Sequence, residues 1–328
     1  MLKKMIVLEI FIVMLLTGAA AAAEQSKAIT IRLNWIPNAM FAGILLAKER
    51  GWYDGAGINL TIKGWKQGIS SINEVVSGAA QIGVAEGGAI IIARVAGKAV
   101  KAIAVQYQKS PFCLMSKKAM GIKTPEQLAG KKIGLNCSES KLMTQIVLAH
   151  QGMRFKDIIP VQTGWALKPL IDDKIDVFAA FMTDEPLAMQ EQGYEVTYIP
   201  AFKYGYDFYS GAYFVTDTLI REQPQLIRIF LKVTLRGWQE AFKTPAETAK
   251  LIIKKYYPKG SLNHETEEIK RSHTLATLGV GNHLIGMMEE RFWSRGVDIL
   301  YKYKQIDKKI PATDLFTLEF LKEVTTTR

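Results

Sequence analysis

The chain has 328 residues, of which 48% are hydrophobic and 22% charged, with a formal net charge of +11. That length holds two ordinary domains with real cores, and the composition excludes a disordered or low-complexity chain. The basic excess excludes little by itself. Its lysines and arginines are spread along the sequence, as at Lys250, Lys254 and Lys255, with no aromatic-basic motif, so a solvated basic surface and no nucleic-acid partner are expected.

The first stretch, MLKKMIVLEIFIVMLLTGAAAAAEQ, places Lys3 and Lys4 before an apolar run and then a string of alanines. This is the outline of a secretory signal peptide over residues 1–23, cleaved near Ala23. An uncleaved membrane anchor is the alternative. Glu9 interrupts the run, however, and a span takes about 20 apolar residues. No second apolar run of that length follows, so an exported, soluble, periplasmic chain is expected.

Strand and helix then alternate. ITIRLNW (29–35) precedes a helix over 39–50, INLTIKGW (58–65) a helix over 69–76, AQIGVAE (80–86) a helix opened by Gly87 and Gly88, and VKAIAVQYQ (100–108) closes the set. That alternation argues for a mainly parallel sheet covered by helices on both faces. After Lys109 the pattern restarts. SPFCLMSK is a strand, and Thr124-Pro125-Glu126-Gln127 is a capping box with proline at the first helical position. KKIGLNC is a strand and residues 138–152 a helix ended by Gly152. A helix over 165–172, a strand over 176–181, a helix over 184–192 and the strand YEVTYIP complete the second set.

Beyond residue 201 the sequence reads as helical, with apolar residues at three- and four-residue spacing such as Leu226, Ile229, Phe230 and Val233. Lacking strands of their own, these helices are expected to complete the first unit. The expected fold class is therefore α/β in two lobes: residues 24–109 with 202–328, and residues 110–201. Two crossings, near 106–110 and 201–208, join them and leave a cleft between.

In open parallel sheets ligands bind beyond the carboxyl ends of the strands. The residues expected there are aromatic: Trp35 and Phe41 at the first corner, Trp65 after the second strand, and Tyr209 in the last crossing. Planar rings suit a planar ligand. The polar residues at these tips include Asn38, Glu86, Gln108, Ser138, Thr183, Asp184 and Asp207, with Glu139 and Glu185 beside them. The charged ones are acidic, which opposes an anion and favours a neutral or cationic ligand with N–H donors. Acidic residues also cap helix N-termini, and that reading stays open for Glu86, Asp184 and Glu185.

No metal spacing, phosphate loop or Ser-His-Asp arrangement is present; His150, His264, His273 and His283 are scattered. No cofactor, no metal and no enzyme activity are expected. Cys113 and Cys137 form one disulfide or remain two thiols, and the sequence leaves both open.

LNWIPNAMFAGILLAKERGWY resembles the opening of the exported solute-binding proteins that include the binders of thiamine-pyrimidine precursors, riboflavin, taurine, sulfonates and nitrate. QIGVAEGGAIIIARVAGKAVKAIAV, IKTPEQLAGKKIGL, FMTDEP and YGYDFYSGAYFVTDTLI are similar to that family's later landmarks, in order, over residues 28–324. The resemblance implies a two-lobed type II binding protein, a monomer, that closes on a small-molecule ligand and delivers it to an ATP-driven (ABC) membrane permease. The WxPN corner resembles the branch that binds heteroaromatic vitamin precursors. That implies ring contacts from Trp35 and Asn38, and further contacts from Glu86, Thr183, Asp184 and Tyr209. The pyrimidine branch often carries histidine where Phe41 stands, which leaves a flavin-like ring open. Fungal enzymes of this fold carry a cysteine-rich motif and a corner histidine, and this chain has neither. The alternatives are a sensing module for a membrane signalling partner and a binder of taurine, sulfonate or nitrate.

Overall fold

A computed structural model describes residues 26–326. The expected signal peptide lies outside the described residues. The first run of elements is β1 (Lys27–Arg32), α1 (Ala42–Glu49), β2 (Ile58–Lys63), α2 (Ser71–Val76), β3 (Ile82–Ala85), α3 (Gly87–Val95) and β4 (Val100–Tyr107). The second is β5 (Phe112–Lys117), β6 (Lys132–Leu135), α4 (Ser138–His150), β7 (Ile159–Gln162), α5 (Lys168–Ile171), β8 (Val177–Phe181), α6 (Glu185–Glu191) and β9 (Val196–Pro200). The third is β10 (Ser210–Thr216), then α7 (Asp217–Glu222), α8 (Pro224–Lys243), α9 (Pro245–Lys255), α10 (Leu262–Thr277), α11 (Glu290–Lys302) and α12 (Glu319–Thr326).

Two five-stranded sheets result, ordered β2-β1-β3-β10-β4 and β7-β6-β8-β5-β9. Each is mainly parallel with one reversed strand. β10 runs antiparallel to both β3 and β4, and β5 antiparallel to both β8 and β9. The buried strands β3 and β8 are continuous apolar runs, IGVA and VFAAF, as strands covered on both faces require.

The third run departs from the sequence expectation. It does supply a strand: β10 inserts in the middle of the first sheet, pairing Ala212 with Ala85 on one side and with Val105 on the other. β7 was likewise not expected. Its IPVQ sequence is short, exposed and carries a proline, as an edge strand tolerates.

The helices of the third run pack on the first sheet. α1 is apolar along its whole buried length and meets α8 at two glycines. A Cβ on Gly237 would lie 2.1 Å from the Gly43 carbonyl oxygen, and one on Gly43 would lie 2.4 Å from the Trp238 ring. Only glycine allows the two backbones to come that close. The free edge of β4 is also covered, because Ala102 donates to the Leu315 carbonyl and Val105 to that of Gly286, at 2.9 and 3.1 Å.

The chain passes between the sheets twice, after β4 and after β9. The crossings touch: the Ser110 amide donates to the Phe208 carbonyl at 2.9 Å. Cys113, fully buried in the second sheet, and Cys137 are separate thiols. No described helix is long and apolar enough to cross a membrane.

Candidate functional site

Seven strands bring residues to one cleft between the sheets, a cavity of about 340 Å³. Leu33, Asn34 and Trp35 follow β1, Trp65 follows β2, and Ala85 and Glu86 stand at the end of β3. From the second sheet come Cys137 after β6, Trp165 after β7, and Phe181 and Asp184 at and after the end of β8. Phe112 opens the reversed strand β5 and so reaches the same rim. The parallel segments all arrive by their carboxyl ends, where helix N-termini and unpaired backbone leave room for a ligand.

Trp35 is the centre of an aromatic wall. Its ring centroid lies 5.5 Å from that of Trp65 and 4.9 Å from that of Trp165, with both pairs tilted. Trp165 comes from the second sheet, so the wall spans the cleft. Trp65 and Trp165 keep 38% and 42% of their surface exposed, which leaves ring area for a ligand.

The charged residues of the lining are all acidic: Glu86, Glu139, Asp184, Glu185 and Glu268. No arginine or lysine lines the cleft among the described residues. Burial pushes the Glu86 carboxyl up to about 7, with Glu139 adding to the effect; Asn34 Nδ2 donates to Glu86 Oε1 at 3.3 Å. Burial, then the neighbouring Asp184, raises Glu185 to about 8. Burial and the charges of Asp184, Glu265 and Glu185 hold Glu268 well above the carboxylate range. The helix-cap reading accounts for none of the tip acids through a side-chain bond to a helix amide; Glu185 instead ties back to the end of β8. Its Oε2 accepts the Phe181 amide at 2.7 Å, and neither Glu86 nor Asp184 caps its helix through its side chain.

The structure brings Trp35, Trp65, Glu86 and Asp184 of the expected set to the cleft. The other seven stand elsewhere. Asn38 is buried behind the corner: its Oδ1 accepts the Met40 amide at 3.3 Å, and its Nδ2 donates to Glu268 Oε2 at 3.3 Å. The Ala39 amide goes to Glu265 Oε2 at 2.8 Å. The corner's first backbone donors therefore serve these side chains instead of a ligand. Phe41 is fully buried core. Gln108 is buried and donates to the Met287 carbonyl at 3.0 Å, and Thr183 is buried as well. Ser138 opens α4 on the exposed side and donates to Glu139. Asp207 accepts from Lys109 and Arg295 at the crossings. The Tyr209 hydroxyl accepts the Glu289 amide at 2.8 Å, and its ring packs on Phe292 and Trp293.

Most of the other lining residues fall outside the expected set, Trp165, Phe112, Phe181 and Glu268 among them. Trp165 carries a signal, because it stands three residues beyond β7, but the exposed, proline-bearing IPVQ lacks the apolar pattern that marks a strand in sequence. Glu268 lies in mid-helix, and no local pattern marks it.

His264, Glu265 and Glu268 each offer one ligand atom within 4.8 Å of the others. Each already has a protein partner. His264 Nε2 faces Asp184, Glu265 holds the Ala39 amide and Glu268 the Asn38 amide. Through His264 the group joins α10 to the start of α6, and through Glu265 and Glu268 it joins α10 to the Asn38-Ala39 corner.

A family model described as NMT1/THI5 like matches residues 38–248. The chain is 23% identical to the riboflavin-binding protein RibY of Chloroflexus aurantiacus, across 97% of both chains. It is 20% identical to a formylaminopyrimidine-binding protein of Halalkalibacterium halodurans, across 92% of this chain and 93% of that one. A 4-amino-5-hydroxymethyl-2-methylpyrimidine phosphate synthase of Legionella pneumophila is 23% identical across 71% of this chain and 75% of its own. Among solved structures, the periplasmic aliphatic sulphonate binding protein SsuA of Escherichia coli superposes with a TM-score of 0.70. It is 14% identical, and the match covers 88% of this chain and 91% of that one. The likeness to SsuA is one of fold.

Proposed function

The chain belongs to the NMT1/THI5-like family, and from that premise we propose that it is an exported solute-binding protein that captures a small heteroaromatic solute in the cleft between its sheets. The solute is a thiamine pyrimidine precursor or a riboflavin-like ring. The observation that carries this reading is the cleft's lining: three tryptophans, Trp35 with Trp65 and Trp165, shared between the two sheets, together with five carboxyl groups. Rings supply the stacking surface, and carboxyl groups accept from ring N–H and amino donors. The two relatives that match more than nine-tenths of the chain are named for riboflavin and formylaminopyrimidine, which are both heteroaromatic.

In this reading Trp35, Trp65 and Trp165 hold the ring, and Glu86 and Asp184 orient its polar edge. The lobes close about the crossings, and an ABC permease receives the closed form. The protein binds and releases without chemistry. An anion such as nitrate or a sulfonate fits this lining poorly, because it would lie against carboxyl groups with no lysine or arginine to meet it.

The test is a thermal-shift panel of aminopyrimidine precursors, riboflavin, taurine, an alkanesulfonate and nitrate. A ligand at about 100 times its dissociation constant stabilises the folded state by about 2.7 kcal/mol, a clear rise in melting temperature. A rise with a heterocycle alone supports the reading. A rise with an anion alone overturns it.

A further inference from the structure

The seam between α10 and α6 joins the two sides of the cleft below the tryptophan wall. α10 packs with the first sheet, and α6 follows β8 of the second. At its centre His264 sits between two carboxylates from the opposite side. Its Nε2 is 2.9 Å from Asp184 Oδ1, and its Nδ1 is 3.6 Å from Glu191 Oε2. The imidazole is 11% exposed and does not line the cleft. A neutral imidazole has one N–H and one lone pair, so it serves one of these carboxylates and turns a lone pair to the other. Only the imidazolium both donates to Asp184 and turns an N–H and a positive charge toward Glu191, which lies at ion-pair distance. The geometry is therefore complete in one protonation state alone.

We propose that this seam is a proton-dependent latch: protonated His264, clasped by Asp184 and Glu191, holds the two lobes closed, and loss of that proton loosens them.

The groups around the ring point the same way. From α6 and its start the ring faces Asp184 and Glu191, and from its own helix Glu265 and Glu268; Glu185, the cation Arg271 and Tyr257 stand around these carboxyl groups. Arg271 also crosses the seam, donating to the Met182 carbonyl at 2.9 Å, but its charge does not change with pH. Burial opposes a charged ring at His264, yet the hydrogen bond and charge of Asp184, with Glu265 and Glu191, outweigh it and hold the imidazole above its ordinary value. Glu265 and Glu268 are raised first by burial and further by the charges that α6 and its start bring up, Asp184 with Glu191 or Glu185, and that second part belongs to the joined state. Each of these shifts has one sign. The closed form binds more protons than an open form with solvated side chains, so closure is favoured as pH falls and weakened as pH rises through the raised histidine value.

The latch rests on the hinge-closing reading above, and its test separates the two. Small-angle scattering of the purified, ligand-free protein is recorded from about pH 8.5 to about pH 5.5, the range in which histidine titrates. The radius of gyration is expected to fall with pH in the wild type. In His264→Gln, whose amide donates at every pH, at least half of that change is expected to vanish. Glu191→Gln, which removes one of the two carboxylates at the seam's edge, should give an intermediate response; circular dichroism confirms that each variant is folded. A pH-independent wild-type radius overturns the latch, and so does a full response in His264→Gln. Riboflavin added at about pH 8 forms the second arm. If riboflavin compacts the protein and acid does not, the latch fails and the binding reading stands. If acid compacts it and no heterocycle of the panel does, the latch stands and the ligand assignment fails.

Discussion

The two ends of the cleft join the same pair of sheets by different physics. At the tryptophan end, Trp165 reaches across to Trp35 through ring contact at 4.9 Å. At the other end, His264 reaches across to Asp184 and Glu191 through charge. Ring contact depends on area and shape and has no titrating group. The charged end depends on proton occupancy, and a buried carboxyl there costs more once ionised. In the proposed reading one end carries ligand stacking at every pH, while the other ties closure to acidity. A binding site built only of rings would close equally well at any pH.

Substitutions can break or sharpen that contrast. The largest effect is expected just behind the tryptophan end, at Phe41, which is fully buried. Phe41→Ala should cost about 3–5 kcal/mol of stability in chemical denaturation, with its binding loss following from unfolding. Trp35→Ala should do the reverse. Affinity for the heterocycle identified by thermal shift falls at least about tenfold, or about 1.4 kcal/mol, by calorimetry, while the melting temperature of the free protein changes little. Normal binding by that variant would remove Trp35 from the site.

The acidic end is tested through pH. Burial holds the protons of Glu86 and Glu185 up to about 7 and about 8 in the folded protein, against an ordinary glutamate value of 4.5. The folded state therefore binds more protons than the unfolded one. Its stability is fullest below the unfolded value and declines as pH rises through the folded values. The melting temperature should drop between about pH 5 and about pH 8, and Glu185→Gln should flatten that slope. An unchanged slope would place the titration elsewhere. The smallest effect is expected at Trp165, whose ring is partly exposed. Trp165→Ala should weaken heterocycle binding by about 0.5–1.5 kcal/mol, the range of one aromatic pair, with no change in the pH slope.

The alternation of strand and helix was legible because it is local. Each β-α step carries its own apolar run and its own stop, as at Gly130 and Gly152. β10 was not legible, since nothing in SGAYFVT states that its partners are β3 and β4, more than a hundred residues earlier. The site divides in the same way. Trp35, Trp65 and Glu86 follow strands that could be read, and they line the cleft. Gln108 and Asp207 also stand near strand ends but turn into hydrogen bonds and ion pairs beside the crossings, because direction from a strand end depends on packing that sequence spacing does not encode. Asn38 illustrates a further limit. Its amide was visible at the corner, but its partners, the Met40 amide and Glu268, include one 230 residues away.

The reversed strand β10 has a consequence for the order in which the molecule is made. It lies between β3 and β4, yet it is synthesised only after the whole second sheet. Until Ser210–Thr216 emerges, the first sheet lacks its fourth member, and β4 has no strand beside it. The second sheet, contained in one continuous stretch from Phe112 to Pro200, has all its strands by then. The part of the chain that begins first is thus completed last, and an arrested chain ending before residue 210 would display an unpaired edge on β3 that the finished protein never shows.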